Sequence, residues 1–348
     1  MNESQRPVAT GRYLITGGAG FIGANFVHLL MERHPEAKVT VLDKLTYAGN
    51  PKNLDPVRSS PNFRFVEGDI ADASVVSPLI AEGFDFVINF AAETHVDRSI
   101  GDPSSFVTTD VFGVYTLLEA CRETPISLFV QISTDEVYGE VMAGASTEEA
   151  PLMPRNPYAA SKAGGDRLAY SYWATYDIPV VVTRCSNNYG PYQYPEKLMP
   201  LFVTNAIDGE SLPVYGNGKN TRDWIHVRDH GTAVLSLLDT PGVEGEIFNI
   251  GADTERSVLE VADRLLHFTG RDASLLKGVV DRPGHDRRYA VDWKKITRVT
   301  GWKPAVGFEE GVQQTVEWYQ KNEDWWRPLK SGEFLEYYKS NYKFLPEK

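Results

Sequence analysis

Asp135 and Glu136 stand side by side in the stretch ISTDEVYG, straight after an apolar run that reads as a buried strand. Two carboxylates can divide acid and base work there if their surroundings push their pKa values apart, leaving one protonated and one ionised near neutral pH. Successive residues diverge on a regular strand, so both reach one crevice only where the chain turns past its last ladder hydrogen bonds. A second pair follows in NPYAASKAGG, where Tyr158 and Lys162 at i and i+4 share a helical face. A phenol is a poor base near its free pKa of about 10, and a neighbouring ammonium stabilises the phenolate. Tyr158 can then take the proton of a hydroxyl as hydride leaves the same carbon, with Thr134 on the preceding strand as its partner. Either pair alone is an ordinary feature of turns and helix surfaces. Their coincidence with a third motif gives them meaning.

That motif is TGGAGFIGANF, which places Gly17, Gly20 and Gly23 around Phe21 and Ile22 between a strand and a helix. Glycines in this order allow a tight turn, let backbone approach a pyrophosphate and let the helix pack closely, while the helix N-terminus attracts the anion. Asp43 ends the second expected strand about 20 residues further on. An acid there binds ribose hydroxyls and repels a 2′-phosphate, which favours NAD over NADP. Lys44, next to it, works against that preference.

The elements that must carry these residues alternate. YLIT, KVTVLD, FRFVEGD, FDFVINFAA, SLFVQIST and IPVVVTRCS read as strands. Between them, FIGANFVHLLMER, SVVSPLIAEG, FVTTDVFGVYTLLEACRE and YAASKAGGDRLAYSYWATY carry apolar residues at helical spacing. The fold expected is α/β, a Rossmann-type doubly wound parallel sheet with a smaller C-terminal substrate-binding lobe. Residues 1–186 form the NAD-binding domain, with about 223–252 a candidate to return to it, and 187–348 form mainly the smaller lobe. Pro, Gly and Asn become frequent past residue 186, which reads as loops.

Composition narrows the classes. The 348 residues are 42% hydrophobic and carry 35 Lys and Arg against 47 Asp and Glu, a net charge of −12. Such a surface repels nucleic acid and anionic membranes, so neither is expected as a partner, and an anionic ligand needs a local basic pocket. Cys121 and Cys185 form no C-x-x-C pair, and no His, Cys and carboxylate cluster has metal-ligand spacing, so no metal is expected. The N-terminus lacks a signal-peptide pattern and no apolar stretch is long enough to span a membrane, which points to the cytoplasm.

With TGGAGFIG and YAASK in place, the chain resembles the extended short-chain dehydrogenase/reductase superfamily over essentially its whole length. That resemblance implies a Rossmann domain holding NAD, a smaller lobe holding a nucleotide-sugar and a homodimer through a four-helix bundle. It also puts Asp69 and Ile70 of EGDI at adenine, and Ala91, Ala92 and Lys162 near ribose and nicotinamide. An epimerase of this superfamily has no use for an acid and base pair beyond its tyrosine, because it removes a hydride and returns it to the same carbon. Dehydration needs both: once C4 is a ketone, a base removes the C5 proton and an acid protonates the departing C6 hydroxyl.

STDEVYG followed by YAASK resembles the dTDP-glucose 4,6-dehydratase family, as do ETHVDRSI, RCSNNYGPYQYPEKLMP, RDWIHVRDH and DRPGHDRRYA. The resemblance makes Asp135 the acid at C6, Glu136 the base at C5, Tyr158 the base at the C4 hydroxyl and Thr134 its partner. It assigns Asn187 and Arg222 to the diphosphate, Arg282 and His285 to the nucleotide, and Lys197, Leu198, Pro213 and Tyr215 to the sugar and base pocket. Two departures stand out: Val258, where the family often has Asn near the nucleotide, and Asp110, where it usually has Asn. A dehydratase or epimerase acting on UDP-glucose or another nucleotide-hexose is the nearest alternative activity, and an NAD-sensing binding protein the alternative class.

Overall fold

The computed structural model describes residues 6–281, 284–332, 334–336, 338 and 342. Six strands come first, β1 (Arg12–Thr16), β2 (Lys38–Asp43), β3 (Phe63–Glu67), β4 (Phe86–Asn89), β5 (Leu128–Thr134) and β6 (Val180–Cys185). Helices α1 (Phe21–Arg33), α2 (Ala73–Ile80), α3 (Val96–Gly101), α4 (Pro103–Val107), α5 (Val114–Glu123) and α6 (Pro157–Tyr176) lie between them. The later chain adds β7 (Asn187–Tyr189), α7 (Leu198–Asp208), β8 (Leu212–Tyr215), β9 (Thr221–His226), α8 (Val227–Asp239) and β10 (Ile247–Ile250). It continues through β11 (Glu255–Ser257), α9 (Val258–Thr269), β12 (Leu276–Val279), α10 (Lys294–Thr300) and α11 (Phe308–Lys321).

The main sheet is parallel throughout, in the order β10-β6-β5-β4-β1-β2-β3. The near-continuous apolar strands follow from burial on both faces. Tyr13 and Ile15 of β1, Val39 and Val41 of β2, and Phe86 and Ile88 of β4 point to one core, where α1 and α8 supply Phe26, Leu30, Val234 and Leu238. Leu14, Leu42, Val87 and Phe129 point to the other, against Val76, Leu79, Leu117, Leu118 and Tyr172 of α2, α5 and α6. Thus α8 and β10 pack into this layer system, although β9, immediately before them, belongs to a three-stranded sheet ordered β11-β9-β7 in the second lobe.

Two elements differ from their sequence reading. The stretch taken as one helix from Phe106 is broken into α4, a π turn (Thr108–Gly113) and α5. Between Asn187 and Trp224, read as loops, α7 forms instead. Its Met199, Leu201, Phe202, Val203 and Ala206 are all buried in the second lobe's own core, so it has no polar stripe to give a helical period away. Prolines flanking it mask it further.

The deepest polar contact joins these layers at α6. Arg184 on β6 donates through Nε and Nη2 to Asp166 on α6 at 2.7 and 3.0 Å, with both side chains at most 1% exposed. Its Nη1 donates to the Tyr138 hydroxyl at 2.8 Å, and that hydroxyl donates to Asn249 Oδ1 on β10 at 2.8 Å. Removing one partner leaves a buried uncompensated charge, so Arg184→Met should cost about 3–5 kcal/mol, read as a lower urea midpoint. Arg184→Met combined with Asp166→Leu should recover a large part of that loss, because no buried charge remains.

Candidate active site

The sheet order reverses between β1 and β4, and the crevice beyond their carboxyl ends is the main cleft. Gly17 follows β1 with φ of 67°, and a Cβ there would lie 2.5 Å from the Ala91 backbone nitrogen after β4. A Cβ on Gly23 would lie 2.3 Å from Gly17 O, so both positions admit only glycine. The α1 N-terminus carries no side-chain cap and no acidic residue in its first turn, leaving its amides for an anion. The cradle therefore fits a pyrophosphate.

Asp43 accepts the Ala19 amide on Oδ2 and the Leu45 amide on Oδ1, each at 2.9 Å, and burial raises its pKa. Each oxygen keeps a further lone pair beyond these bonds, and Asp43 lines the cleft. Lys44 does not stand alone as an extra basic residue. Its Nζ lies 3.3 Å from Glu93 and 3.6 Å from Asp69 and donates to Thr109 Oγ1 at 3.0 Å. Its charge is absorbed by two acids, which leaves the negative field of Asp43 dominant and favours NAD. Gly20, Phe21, Ile22, Ile70 and Ala92 line the same cleft.

At the far end of the cleft, β5 ends on Thr134 and a single 3₁₀ turn (Asp135–Tyr138) begins at once. Thr134 caps that turn, accepting the Glu136 amide at 3.3 Å. This turn brings both acids to the cleft wall, which a continued strand would have prevented. Their environments differ. Asp135 is 3% exposed while Glu136 is partly open to solvent. Burial pushes the Asp135 carboxyl up to about 8, helped by the charge of Glu136 and opposed by Arg222. Asp135 is thus a neutral acid at pH 7.

Tyr158 and Lys162 enter from α6, whose start is set by Asn156 as N-cap, accepting the Ala159 amide at 2.8 Å, and Pro157 at its first position. Lys162 Nζ donates to Ile132 O on β5 at 2.8 Å, fixing helix to strand beside the catalytic turn. Burial holds the Tyr158 phenol well up, with Glu136 and Asp110 adding to it and a hydrogen bond with Thr134 opposing. All five residues expected to do chemistry line one cleft.

Three participants were not anticipated as site residues. Tyr289, inside DRPGHDRRYA, places its hydroxyl 3.4 Å from Glu136 Oε2 and donates to Asp286, while Arg222 covers its ring at 4.4 Å. Asn156 Nδ2 reaches the same Glu136 oxygen at 3.4 Å. Glu196 is a buried acid on the cleft wall that accepts from Tyr47 at 2.7 Å and sits 3.4 Å from Arg98 and 4.0 Å from His95. Tyr289 and Asp286 lie about 150 residues beyond Glu136, so only the fold brings them together. The basic run around them was the available signal.

On the substrate side, Asn187 and Lys197 line the cleft, and Lys197 donates to Thr94 O at 2.6 Å. Leu198 opens α7 immediately after. Pro213 and Tyr215 lie on β8, where Tyr215 donates to Asp97 at 3.3 Å and His285 approaches its ring at 6.0 Å. Arg222 is 8% exposed and donates to the carbonyls of Thr221 and Asp286 at 2.8 and 3.0 Å. Leu198, Pro213, Tyr215, Arg222 and His285 do not line the main cleft. Arg282 lies outside the described residues. Val258 begins α9 and packs against the second lobe's core. Among the described residues, no group of three or more His, Cys, Asp or Glu could hold a metal ion, and no helix is long and apolar enough to cross a membrane.

Comparison with known proteins agrees with this geometry. The family model described as GDP-mannose 4,6 dehydratase matches residues 14–315. A dTDP-glucose 4,6-dehydratase of Streptomyces niveus is 51% identical over 92% of this chain and 96% of its own. The low-salt glycan biosynthesis protein Agl12 of Haloferax volcanii is 50% identical over 88% and 97%. Among solved structures, DesIV, a dTDP-glucose 4,6-dehydratase from Streptomyces venezuelae with NAD and TYD bound, superposes with a TM-score of 0.89 at 50% identity, covering 92% of this chain and all of that one. A UDP-glucose 4-epimerase of Thermotoga maritima matches at 0.83 with 29% identity over 90% of this chain and 99% of its own. The fold is shared with epimerases, whereas the higher identity falls on the dehydratase side: the chain belongs to the dTDP-glucose 4,6-dehydratase family of the extended short-chain dehydrogenase/reductases.

Proposed function

We propose that this protein converts dTDP-glucose to dTDP-4-keto-6-deoxyglucose and water, as an NAD-dependent hydro-lyase. The observation that carries the reading is the adjacent pair Asp135 and Glu136 on one cleft wall with Tyr158, the first held neutral by burial and the second reaching solvent. The glycine cradle, the α1 N-terminus and Asp43 would hold NAD, which would supply a hydride acceptor for C4 and a hydride donor for C6, so no net reduced cofactor would accumulate. Tyr158 takes the C4 hydroxyl proton, with Thr134 hydrogen-bonded to it and the Lys162 ammonium one turn along the same helix. Glu136 removes the C5 proton, made acidic by the C4 ketone, Asp135 gives its proton to the departing C6 hydroxyl, and C5 takes up a proton exchanged with solvent as hydride reaches C6. Asn156 aims Glu136 by donating to one of its carboxylate oxygens, and the Tyr289 hydroxyl, whose proton goes to Asp286, lies beside the same oxygen.

Arg222 and Asn187 are the diphosphate contacts of this reading, with His285, Tyr215 and Pro213 toward the base. The Arg222 guanidinium is preset in direction, because Nη1 and Nη2 already donate to the carbonyls of Thr221 and Asp286, and its remaining N–H groups are the ones offered to an anion. The cytoplasm is supported by two cysteines that are free and buried. A homodimer is supported by the exposed apolar residues Val107, Phe112, Tyr115, Tyr170 and Tyr176 on the α4–α5 and α6 surfaces.

Incubation with dTDP-glucose in deuterated water should give a product lighter by one water and carrying one solvent deuterium at C5, read by mass spectrometry. A parallel incubation with UDP-glucose should turn over more slowly, and an unchanged mass in both would overturn the dehydratase reading. The rate of elimination should fall as pH rises through the Asp135 pKa near 8, because the acid is then ionised. Asp135→Asn should lower kcat by about 10²–10⁴-fold and flatten that basic limb in a pH–rate profile.

A further inference from the structure

Asp110 is a buried carboxylate that the mechanism above does not use. The π turn brings it inward: the extra residue per turn between α4 and α5 rotates the chain so that Asp110, 2% exposed, faces α6. The closeness of that approach is written into the GG of KAGGD. A Cβ on Gly165 would lie 2.2 Å from the Asp110 carbonyl oxygen, and one on Gly164 would lie 2.9 Å from Val111. Two small residues thus let the π turn lie against the helix that carries Tyr158 and Lys162.

Both carboxylate oxygens are occupied by donors. Oδ1 accepts the Glu93 amide at 2.9 Å, and Oδ2 accepts the Ser161 hydroxyl at 2.7 Å. Ser161 sits between Tyr158 and Lys162 in sequence, and its hydroxyl also lies 2.8 Å from the Tyr158 carbonyl oxygen. One hydroxyl proton cannot serve both acceptors, and an ionised Asp110 is the stronger claimant. An asparagine in this place would reverse the polarity. Its NH₂ would donate to Ser161 Oγ and release the hydroxyl proton to the Tyr158 carbonyl.

We propose that Asp110 is a positioning residue of the oxidation step, an anion wedged against α6 by the π turn that holds Ser161 and offsets the field of Lys162 on Tyr158. The inference rests on the reading of Tyr158 as the base at C4. The charges around the pair are few. Lys162 from α6 favours the Asp110 anion, Glu93 beside β4 opposes it, and Glu93 is itself paired with Lys44. Tyr158 faces Glu136 on the catalytic turn and Cys185 at the end of β6 in addition to Asp110. Burial raises the Asp110 pKa to about 6, with Lys162 and its two hydrogen bonds opposing, so the group is ionised at neutral pH and its charge is lost as pH falls through that value. In the ionised range it makes the Tyr158 phenolate harder to form. The tyrosine then stays protonated until bound oxidised cofactor adds its positive charge.

The test reads Tyr158 itself. The tyrosinate absorbance of the NAD-loaded protein is titrated, with Tyr158→Phe as the blank, in the wild type, in Asp110→Asn and in Ser161→Ala. Asp110→Asn should lower the Tyr158 midpoint by roughly one pH unit, and the acidic limb of kcat should move the same way. Ser161→Ala, which keeps the charge, should leave the midpoint in place. An unmoved midpoint in Asp110→Asn would reduce Asp110 to a structural clamp, and equal shifts in both variants would assign the effect to the hydrogen bond; either result overturns the proposal. A wild-type titration identical to the Tyr158→Phe blank would overturn the tyrosine assignment as well, which separates the two failures.

Discussion

The buried pairing of Arg184 with Asp166 is the contact on which the rest of the site depends. Its two parallel hydrogen bonds fix α6 against β6 with neither charge reaching water. Desolvation of such a pair is expensive, and only complete hydrogen bonding offsets it. Arg184 meets that condition with a third arm on Tyr138, which closes the turn carrying Asp135 and Glu136, and a longer bond to Glu148 O at 3.3 Å. The helix bearing the tyrosine and lysine and the turn bearing the two acids are therefore referenced to one guanidinium. A planar fork does this where a lysine could not, since its donors point in set directions.

With that frame in place, the two acids need little further machinery to differ. Asp135 and Glu136 are adjacent in sequence, but the 3₁₀ turn sends one into the protein and the other toward the cleft mouth. A carboxyl buried beside another acid avoids the cost of an interior anion by keeping its proton. The same burial that would be a liability for a structural aspartate makes this one a proton donor at neutral pH. Arg222 moderates the effect. Its guanidinium is close enough to favour the Asp135 anion, while covering the ring of Tyr289, which lies beside Glu136.

The Rossmann layers were legible because the inner strands β1, β4, β5 and β6 are buried on both faces and read as apolar runs bounded by turns, with helically spaced apolar residues between them, while β3 at the edge is only half-buried. The catalytic turn, the glycine cradle and the Tyr158–Lys162 pair were legible for a related reason: each is a local pattern whose geometry follows from spacing within one element. What escaped notice depends on distant chain segments. Tyr289 and Glu196 look like an ordinary tyrosine and an ordinary glutamate until the chain beyond β7 folds back beside Glu136, Tyr47 and Arg98 of the first lobe. The π turn left no periodic signal, since α4, the turn and α5 follow without interruption. Helix α7 was hidden by being apolar on every side.

The order in which the chain visits the two lobes explains how a cleft between them can be built with few long loops. After β6 the chain passes at once into β7, and Cys185, Ser186 and Asn187 line the cleft at that crossing. It returns through α8 and β10 to extend the first sheet, then leaves again by β11. The cleft wall at that first crossing grows from a strand end already fixed in the ladder, since Cys185 pairs with Thr134 on one side and Ile250 on the other. A further tie closes the circuit from the other side: Trp325 donates to Asn53 Oδ1 at 2.8 Å, and Asn53 Nδ2 donates to Ala19 O at 2.8 Å within the glycine turn. The second lobe thus holds the cradle of the first directly. In a reaction that must give its hydride back to the same sugar, dinucleotide and substrate sites linked by such short bonded paths keep one distance between donor and acceptor throughout turnover.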